Sequence, residues 1–282
     1  MLRINFKQDW KEYLKNQFQE LGFLYNENES PEDNTVRYFR ISRRLISKKK
    51  RKVFISKSLI VSPEFKTSFD EIVRRLENGE DIKPYQSRLT KKTEINDLLL
   101  NDWGIHHLHL GDTLESDDYI KRTTPLLYAM FIENAVYLIA ILNHGQWTNT
   151  DLIQIMHDNW KDVMVKFKIV ISPLSISEDQ RKILRNKHGN AIVTVSDGTT
   201  YGPPGGGIMA SGDCMFDINN TDKIFFDIEN WESIVKSNEE RFFEGAKIDK
   251  NQILTIKLNF DQEECYLYEP DKKIRFNLKN KS

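Results

Sequence analysis

The feature that most constrains the fold is an apolar stretch over residues 125–145. It approaches the length of a membrane-spanning helix, but Glu133 and Asn134 lie at its centre, where a charge is costly in a bilayer. Aromatic and β-branched residues on both sides of this polar pair instead predict two strands joined by a tight turn. We therefore expect a β-hairpin in which Ile132 lies opposite Ala135, and no transmembrane segment.

Helical and strand-like periodicities alternate on both sides of this hairpin. Apolar residues three or four positions apart predict helices, and short runs rich in β-branched and aromatic residues predict strands. The predicted helices before the hairpin cover residues 6–21, 64–79 and 91–101, and the predicted strands cover residues 37–42, 52–61 and 104–111. Residues 253–278 have the pattern of a closing antiparallel meander.

These elements predict an α+β fold, with a helical hairpin on an antiparallel sheet and a further α+β domain at the C-terminal end. A chain of 282 residues has the length of one large or two medium domains. We divide it into an N-terminal helix and linker (1–36), a central unit that this helix packs on (37–165), and a C-terminal α+β domain (166–282). The glycine-rich segment at residues 202–207 lacks a phosphate-loop lysine, so we expect a mobile loop or lid there.

The number of cysteines and the composition of the first residues indicate the cellular compartment of the protein. Cys214 and Cys265 are the only two cysteines, too few for a disulfide framework or a cysteine metal cluster. Buried free thiols are typical of a reducing compartment. The first thirteen residues carry charge too densely for the apolar core of an export signal. We therefore expect a cytoplasmic protein without a membrane partner.

Positive charge is concentrated in one segment, although the net charge of the chain is only −1. No acidic residue occurs between Asp33 and Glu64, which makes the molecule electrically polarised. Such a cluster can neutralise several phosphates of a polyanion; the alternative is a solvated basic hairpin with no partner. The residues expected to bind nucleic acid are Arg43, Arg44, Lys48, Lys49, Lys50, Arg51 and Lys52.

Three of the six histidines lie within four positions, at His106, His107 and His109. On a strand His107 and His109 share one face, and His106 points to the other. A meander turning at residues 133–134 would place His144 opposite Thr123, so that His109, Arg122 and His144 converge at one sheet edge. A register slip of one residue would change which histidine faces His144.

Histidines that converge in this way can serve as general base and general acid, and a neighbouring arginine can stabilise the charge of a phosphoryl transition state. This is the set of groups that a metal-independent ribonuclease requires. Two alternatives remain open. The histidines could bind a metal ion, since imidazoles two residues apart on a strand are good ligands. They could also be hydrogen-bonded structural residues at a strand end.

The element order, together with residues 102–111 and 126–145, resembles the RelE/HigB superfamily of bacterial toxins that cleave RNA. Tyr128 and Phe131 match its penultimate strand, and residues 139–145 match its last, apolar strand. The resemblance covers about a third of the chain. It implies an endoribonuclease of toxin or defence type that needs no metal or cofactor, with RNA as substrate and a protein inhibitor or antitoxin as a possible partner.

By position, the catalytic residues that the resemblance implies are His107, His109, Arg122 and His144. The chain departs from the family after Gly145, where Gln146, Trp147 and Thr148 stand in place of basic residues. This departure motivates a second hypothesis, that the chain is a non-catalytic nucleic-acid-binding or regulatory module that retains the fold. A histidine-ligated metal enzyme is the third.

Overall fold

The computed structural model describes residues 1–143, 145, 148–170, 176–260 and 265–276. The helices are α1 (Phe6–Glu20), α2 (Pro31–Arg44), α3 (Lys66–Asn78), α4 (Leu98–Trp103), α5 (Asp151–Asn159), α6 (Lys161–Met164), α7 (Glu178–Asn186), α8 (Met215–Ser237) and α9 (Glu239–Ala246). The strands are β1 (Leu2–Arg3), β2 (Lys52–Ile55), β3 (Ile105–His109), β4 (Pro125–Ile132), β5 (Ala135–Asn143), β6 (Lys168–Ile169), β7 (Val193–Thr194), β8 (Thr200–Tyr201), β9 (Leu254–Thr255), β10 (Lys257–Phe260), β11 (Cys265–Glu269) and β12 (Ile274–Phe276). This mixture confirms the α+β class.

The chain divides into two units that differ from the predicted domains. Unit 1 comprises Met1–Phe39 together with Ile218–Ser282, and unit 2 comprises Arg40–Asp217. The boundaries predicted from the sequence follow residues 36 and 165. The second boundary shifts because β6, β7 and β8 form a small antiparallel sheet within unit 2.

Unit 2 is organised around a four-stranded sheet with the order β2-β5-β4-β3. The predicted hairpin is confirmed: Ile132 pairs with Ala135 across the turn, and β3 and β4 are antiparallel neighbours. β2 pairs with β5 in parallel, so the sheet is mixed rather than antiparallel throughout. Because the apolar stretch forms this hairpin, it contributes no helix, and none of the described helices is long and apolar enough to cross a bilayer.

Apolar residues cover both faces of this sheet. On one face Tyr128 and Ile139 belong to a core with Met156 of α5. On the other face Leu127 and Leu138 belong to a core that contains Ile72 of α3. Burial on both faces explains why β4 and β5 are continuous apolar runs rather than alternating ones.

The segment at residues 37–42, predicted as a strand, is part of helix α2. Ser30 begins the helix, since its Oγ accepts a hydrogen bond from the backbone N–H of Asp33 at 2.9 Å, and Pro31 occupies the first turn. Acidic residues in the first turn and Arg43 and Arg44 in the last turn complement the helix dipole. These end signals outweigh the strand-like composition of a short segment.

Unit 1 joins the two ends of the chain. Leu2 pairs with Leu254 in a parallel β1–β9 bridge, and strands β10, β11 and β12 form the predicted meander. The predicted helix α1 is confirmed, but it packs on this meander: the backbone N–H of Leu258 donates to Asp9 Oδ2 at 2.8 Å. The predicted division put α1 and the meander in separate domains, because local patterns carry no information on contacts between distant segments.

Candidate functional site

The histidine triplet lies on β3, at the edge of the unit 2 sheet. His106, His107 and His109 are opposite Ala129, Tyr128 and Leu126 of β4. Side chains alternate between the two faces of a strand, so His107 and His109 point to one face and His106 to the other, as predicted.

His109 has a structural environment. Its side chain is 6% exposed, and its Nδ1 accepts a hydrogen bond from the backbone N–H of Thr123 at 3.2 Å. Burial lowers the pKa of His109 to about 4, and the charges of His107 and Arg122 lower it further. The ring is therefore neutral at neutral pH and holds the chain just before β4, which corrects the prediction of an open catalytic side chain.

Of the other predicted catalytic residues, Arg122 lies near enough to His109 for its charge to act on the ring. Arg122 is exposed, and His144 lies outside the described residues. A bulge between Tyr128 and Ala129 shifts the β4–β5 register by one residue, so that Asn143 lies opposite Pro125. The predicted register would have placed Asn143 opposite Thr124. The convergence of His109, Arg122 and His144 therefore stays a prediction.

A half-open cavity beside β3 brings together the remaining histidines. His106 and His107 both line it, and its volume is about 260 Å³. β3 is an edge strand, with no neighbour on its outer side among the described strands, and the two histidines lie on opposite faces of it. The cavity is also lined by polar side chains from the segment before β3, namely Gln86, Ser87, Thr90, Asn96 and Asp97, and by Tyr128 of β4. We call this space the histidine cavity.

Asp97 belongs to this cavity because it begins helix α4. Its Oδ1 accepts hydrogen bonds from the backbone N–H groups of Leu99 and Leu100 at 3.1 and 3.0 Å, an N-terminal cap. The helix predicted from the sequence begins near residue 91, and Asp97 is not among the predicted site residues. The signal was present, since an aspartate directly before an apolar run is a typical helix start.

Burial and nearby charges set the protonation states of the cavity. Burial lowers the pKa of His106 to about 4, although the charge of Asp97 opposes it; the positive charges of Arg43 and Arg51 lower this pKa further. Burial raises the pKa of Tyr128 to about 12, with the charge of Asp97 acting in the same direction. At neutral pH the cavity therefore presents a neutral imidazole and an intact phenol.

His106 also lines a second cavity, of about 270 Å³, which leads towards the basic segment. Arg43, Ser47 and Arg51 line this second cavity together with His106. Ser47 and Arg51 are the residues that directly flank Lys48–Lys50 in the chain. His106 thus lies between the histidine cavity and the lysine run.

The predicted nucleic-acid-binding arginines are engaged within unit 2. Arg43 Nε and Nη2 donate to the carboxylate of Asp217 at 3.1 and 3.0 Å. Arg44 is buried and donates to the backbone carbonyls of Leu89 and Lys92 at 3.2 and 2.6 Å. These contacts explain two cations of the basic segment as parts of the fold, which corrects their assignment as surface groups.

Arg51 is similar, whereas the lysines differ. Arg51 is buried, and its Nη1 donates to the carbonyls of Ser47 and Lys49 at 2.9 and 3.0 Å, so it shapes the loop that carries the lysines. All four lysines of the predicted set, Lys48, Lys49, Lys50 and Lys52, are exposed. Lys48 is 3.2 Å from Asp81, an exposed pair of little energetic consequence.

The glycine-rich loop is packed against α4 rather than forming a lid. The N–H of Gly205 donates to the carbonyl of Asp102 at 2.8 Å, and that of Gly207 donates to Asn101 at 2.9 Å. A Cβ on Gly205 would lie 2.2 Å from the carbonyl oxygen of Leu100. The amides that a phosphate loop would offer to an anion instead satisfy the last carbonyls of a helix.

The comparisons with known proteins leave the family open. No family model, no curated protein and no solved structure matches this chain. The likeness to RelE/HigB toxins therefore stays a prediction. Within the described part of the chain, no group of three or more histidine, cysteine, aspartate or glutamate side chains is arranged to hold a metal ion.

Proposed function

We propose that unit 2 is a metal-independent endoribonuclease whose reacting groups lie in the histidine cavity. The observation that carries the proposal is the position of His106, which lines this cavity beside His107 and also lines the second cavity next to the lysine run. A site for one nucleotide is thereby adjacent to a surface that can hold the phosphates on either side of it.

The proposed reaction is an attack of the ribose 2′-oxygen on the neighbouring phosphorus. His106, neutral at neutral pH, accepts the proton of the 2′-hydroxyl, and His107 donates a proton to the 5′-oxygen as its bond to phosphorus breaks. The products are a 2′,3′-cyclic phosphate and a 5′-hydroxyl. An incoming phosphate raises the pKa of His106, because a nearby negative charge favours the protonated imidazole.

The apolar and polar side chains that line the cavity are suited to hold a nucleobase next to these histidines. Leucine side chains at positions 89, 98, 99 and 126 line it, and Asn96 and Tyr128 add an amide and a phenol. Asn96 Oδ1 is buried and has no hydrogen-bond partner within the described residues. An apolar pocket with few polar groups is the usual form of a small-molecule site.

The test is cleavage of a labelled single-stranded RNA by the full-length chain in EDTA. We expect a 2′,3′-cyclic phosphate product, and no cleavage where a single 2′-deoxy residue replaces the reacting nucleotide. His106→Gln and His107→Gln should each lower the rate by about 100-fold or more. His188→Asn, at an exposed histidine, is the matched control. RNA that stays intact across a broad pH range, or cleavage that survives both substitutions, would overturn the proposal.

A second function, nucleic-acid binding without cleavage, is favoured by one observation. Lys48, Lys49, Lys50 and Lys52 are exposed, whereas His106, with a pKa of about 4, is a weak base. If the chain binds RNA without cleaving it, reversing the lysine charges lowers the RNA affinity, whereas His106→Gln leaves the affinity unchanged. Neither the native chain nor His106→Gln then cleaves RNA.

A further inference from the structure

An aromatic cavity in unit 1 has a composition that the proposed nuclease does not explain. Its volume is about 240 Å³. Six aromatic side chains from α1, α2, α8 and β10 line it, namely Trp10, Tyr13, Tyr38, Phe39, Trp231 and Phe260. The walls of this cavity therefore consist mostly of aromatic rings.

The rings around this cavity have different orientations and are held in place. Trp10 and Tyr13 are stacked at 5.1 Å with an interplanar angle of 22°, and Phe260 meets Trp10 at 62° and a centroid distance of 4.7 Å. Trp10 Nε1 donates to Thr35 Oγ1 at 2.8 Å, which fixes the indole. These contacts hold the rings in place before any ligand enters, which limits the entropy lost on binding.

One carboxylate, that of Asp227, lies among these rings. Of the described residues that line the cavity it is the only charged one. Burial raises the pKa of the Cys265 thiol, which also lines the cavity, and the negative charge of Asp227 raises this pKa further. A cation in the cavity would lie beside this carboxylate, and opposite charges attract at short range.

We propose that this cavity binds a cation whose ammonium nitrogen carries methyl groups. Aromatic faces attract cations through their quadrupoles, and aromatic cages are a recurring solution for quaternary and methylated ammonium groups. A primary ammonium would bring three N–H donors into a cavity with few acceptors, whereas a methylated one carries its charge on an apolar surface. The volume is smaller than that of a typical drug-sized pocket, which suits a head group.

The experiment compares two probes of the same shape with the full-length chain. Choline chloride carries a quaternary nitrogen, and 3,3-dimethyl-1-butanol has carbon in its place. We expect choline to bind by isothermal titration calorimetry about tenfold more tightly than the neutral alcohol. The affinities of a peptide with trimethyllysine and of the same peptide with unmethylated lysine are measured as well. Comparison with choline then shows whether the cavity prefers a small free cation or a methylated side chain of a protein. Equal affinity for choline and the alcohol, or no binding of any methylated cation, would overturn the proposal.

Two variants locate the binding site. Asp227→Asn and Trp231→Leu should each weaken choline binding by about tenfold while leaving the thermal unfolding of the chain intact. Asp222→Asn, an exposed carboxylate on the same helix α8, is the matched control and should bind as the native chain does. Choline binding that is unchanged in both variants would place the ligand elsewhere. The aromatic cavity belongs to unit 1, and its proposed ligand is independent of the proposed ribonuclease.

Discussion

Arg185 and Asp102 form an ion pair with no solvent exposure, in which Arg185 Nε lies 2.6 Å from Asp102 Oδ2. The guanidinium of Arg185 also lies over the ring of Trp103, 4.0 Å from its centroid. The pair joins α7 to α4, the helix whose first turn is capped by Asp97 in the histidine cavity. A contact distant in sequence thus supports the position of the candidate site.

Removing one partner of this pair should strongly destabilise unit 2. Arg185→Met leaves the carboxylate of Asp102 buried without its cation, and the expected loss is about 3–5 kcal/mol in the free energy of unfolding. Urea titration followed by circular dichroism measures it. Lys182→Met, on the exposed side of the same helix, is the control and should change stability by less than about 0.5 kcal/mol. A loss below about 1 kcal/mol for Arg185→Met would show that the pair contributes little.

Gly205→Ala should destabilise unit 2 by about 1–3 kcal/mol, because the new methyl group would overlap the carbonyl of Leu100 at the end of α4. Gly202→Ala is the matched control in the same loop, because a Cβ at Gly202 would meet its nearest neighbour, Ile169, at 3.5 Å, an ordinary contact distance. Thermal unfolding of the two variants measures the difference. Equal melting temperatures would contradict the close packing of the loop on α4.

Stability should fall as the pH is lowered from about 6.5 to 4, because His109 keeps a pKa of about 4 in the folded chain against 6.5 when unfolded. In this window His109 of the unfolded chain binds a proton that the folded chain does not, so this residue alone contributes a loss of up to about 3 kcal/mol. His106, whose pKa is also about 4, adds to the fall in the same window. His109→Asn retains an acceptor for the N–H of Thr123 and removes the titration. Urea unfolding at several pH values should give this variant a flatter profile; an unchanged slope would exclude His109 as the source.

Asp97→Asn should leave α4 capped, since asparagine is as good a capping residue as aspartate, and should lower the pKa of His106 below about 4 by removing a favourable negative charge. Asp97→Ala should lower the pKa in the same way but also cost about 1 kcal/mol in stability. NMR titration of the imidazole and urea unfolding separate the two effects. An unchanged pKa of His106 in Asp97→Asn would show that the two side chains do not interact.

Reversing the charges of Lys48, Lys49 and Lys50 to glutamate should weaken RNA binding and reduce its dependence on salt. For each phosphate of a single strand that a lysine no longer neutralises, the slope of log affinity against log salt falls in magnitude by about 0.7. Fluorescence anisotropy over a range of salt concentrations measures both quantities. The control replaces the exposed Lys182, Lys187 and Lys223 by glutamate and makes the same change in net charge. Equal losses of affinity in the two triple variants would indicate a general charge effect.

Local patterns in the sequence predicted the elements that depend on neighbouring residues. The hairpin turn at Glu133 and Asn134, the amphipathic helix α1 and the face shared by His107 and His109 follow from side-chain periodicity and turn chemistry, which act over a few residues. The α+β class follows from the same patterns.

Only the tertiary structure decided which of the charged and titratable groups are available for chemistry. Arg43 and Arg44 looked like surface cations but have partners such as Asp217 and Leu89, far away in the chain. A bulge in β4–β5 moved the register, and His106 and His107 line one cavity with residues from the segment before β3. Burial, partners and register arise from contacts between distant segments, and short-range sequence patterns do not encode them.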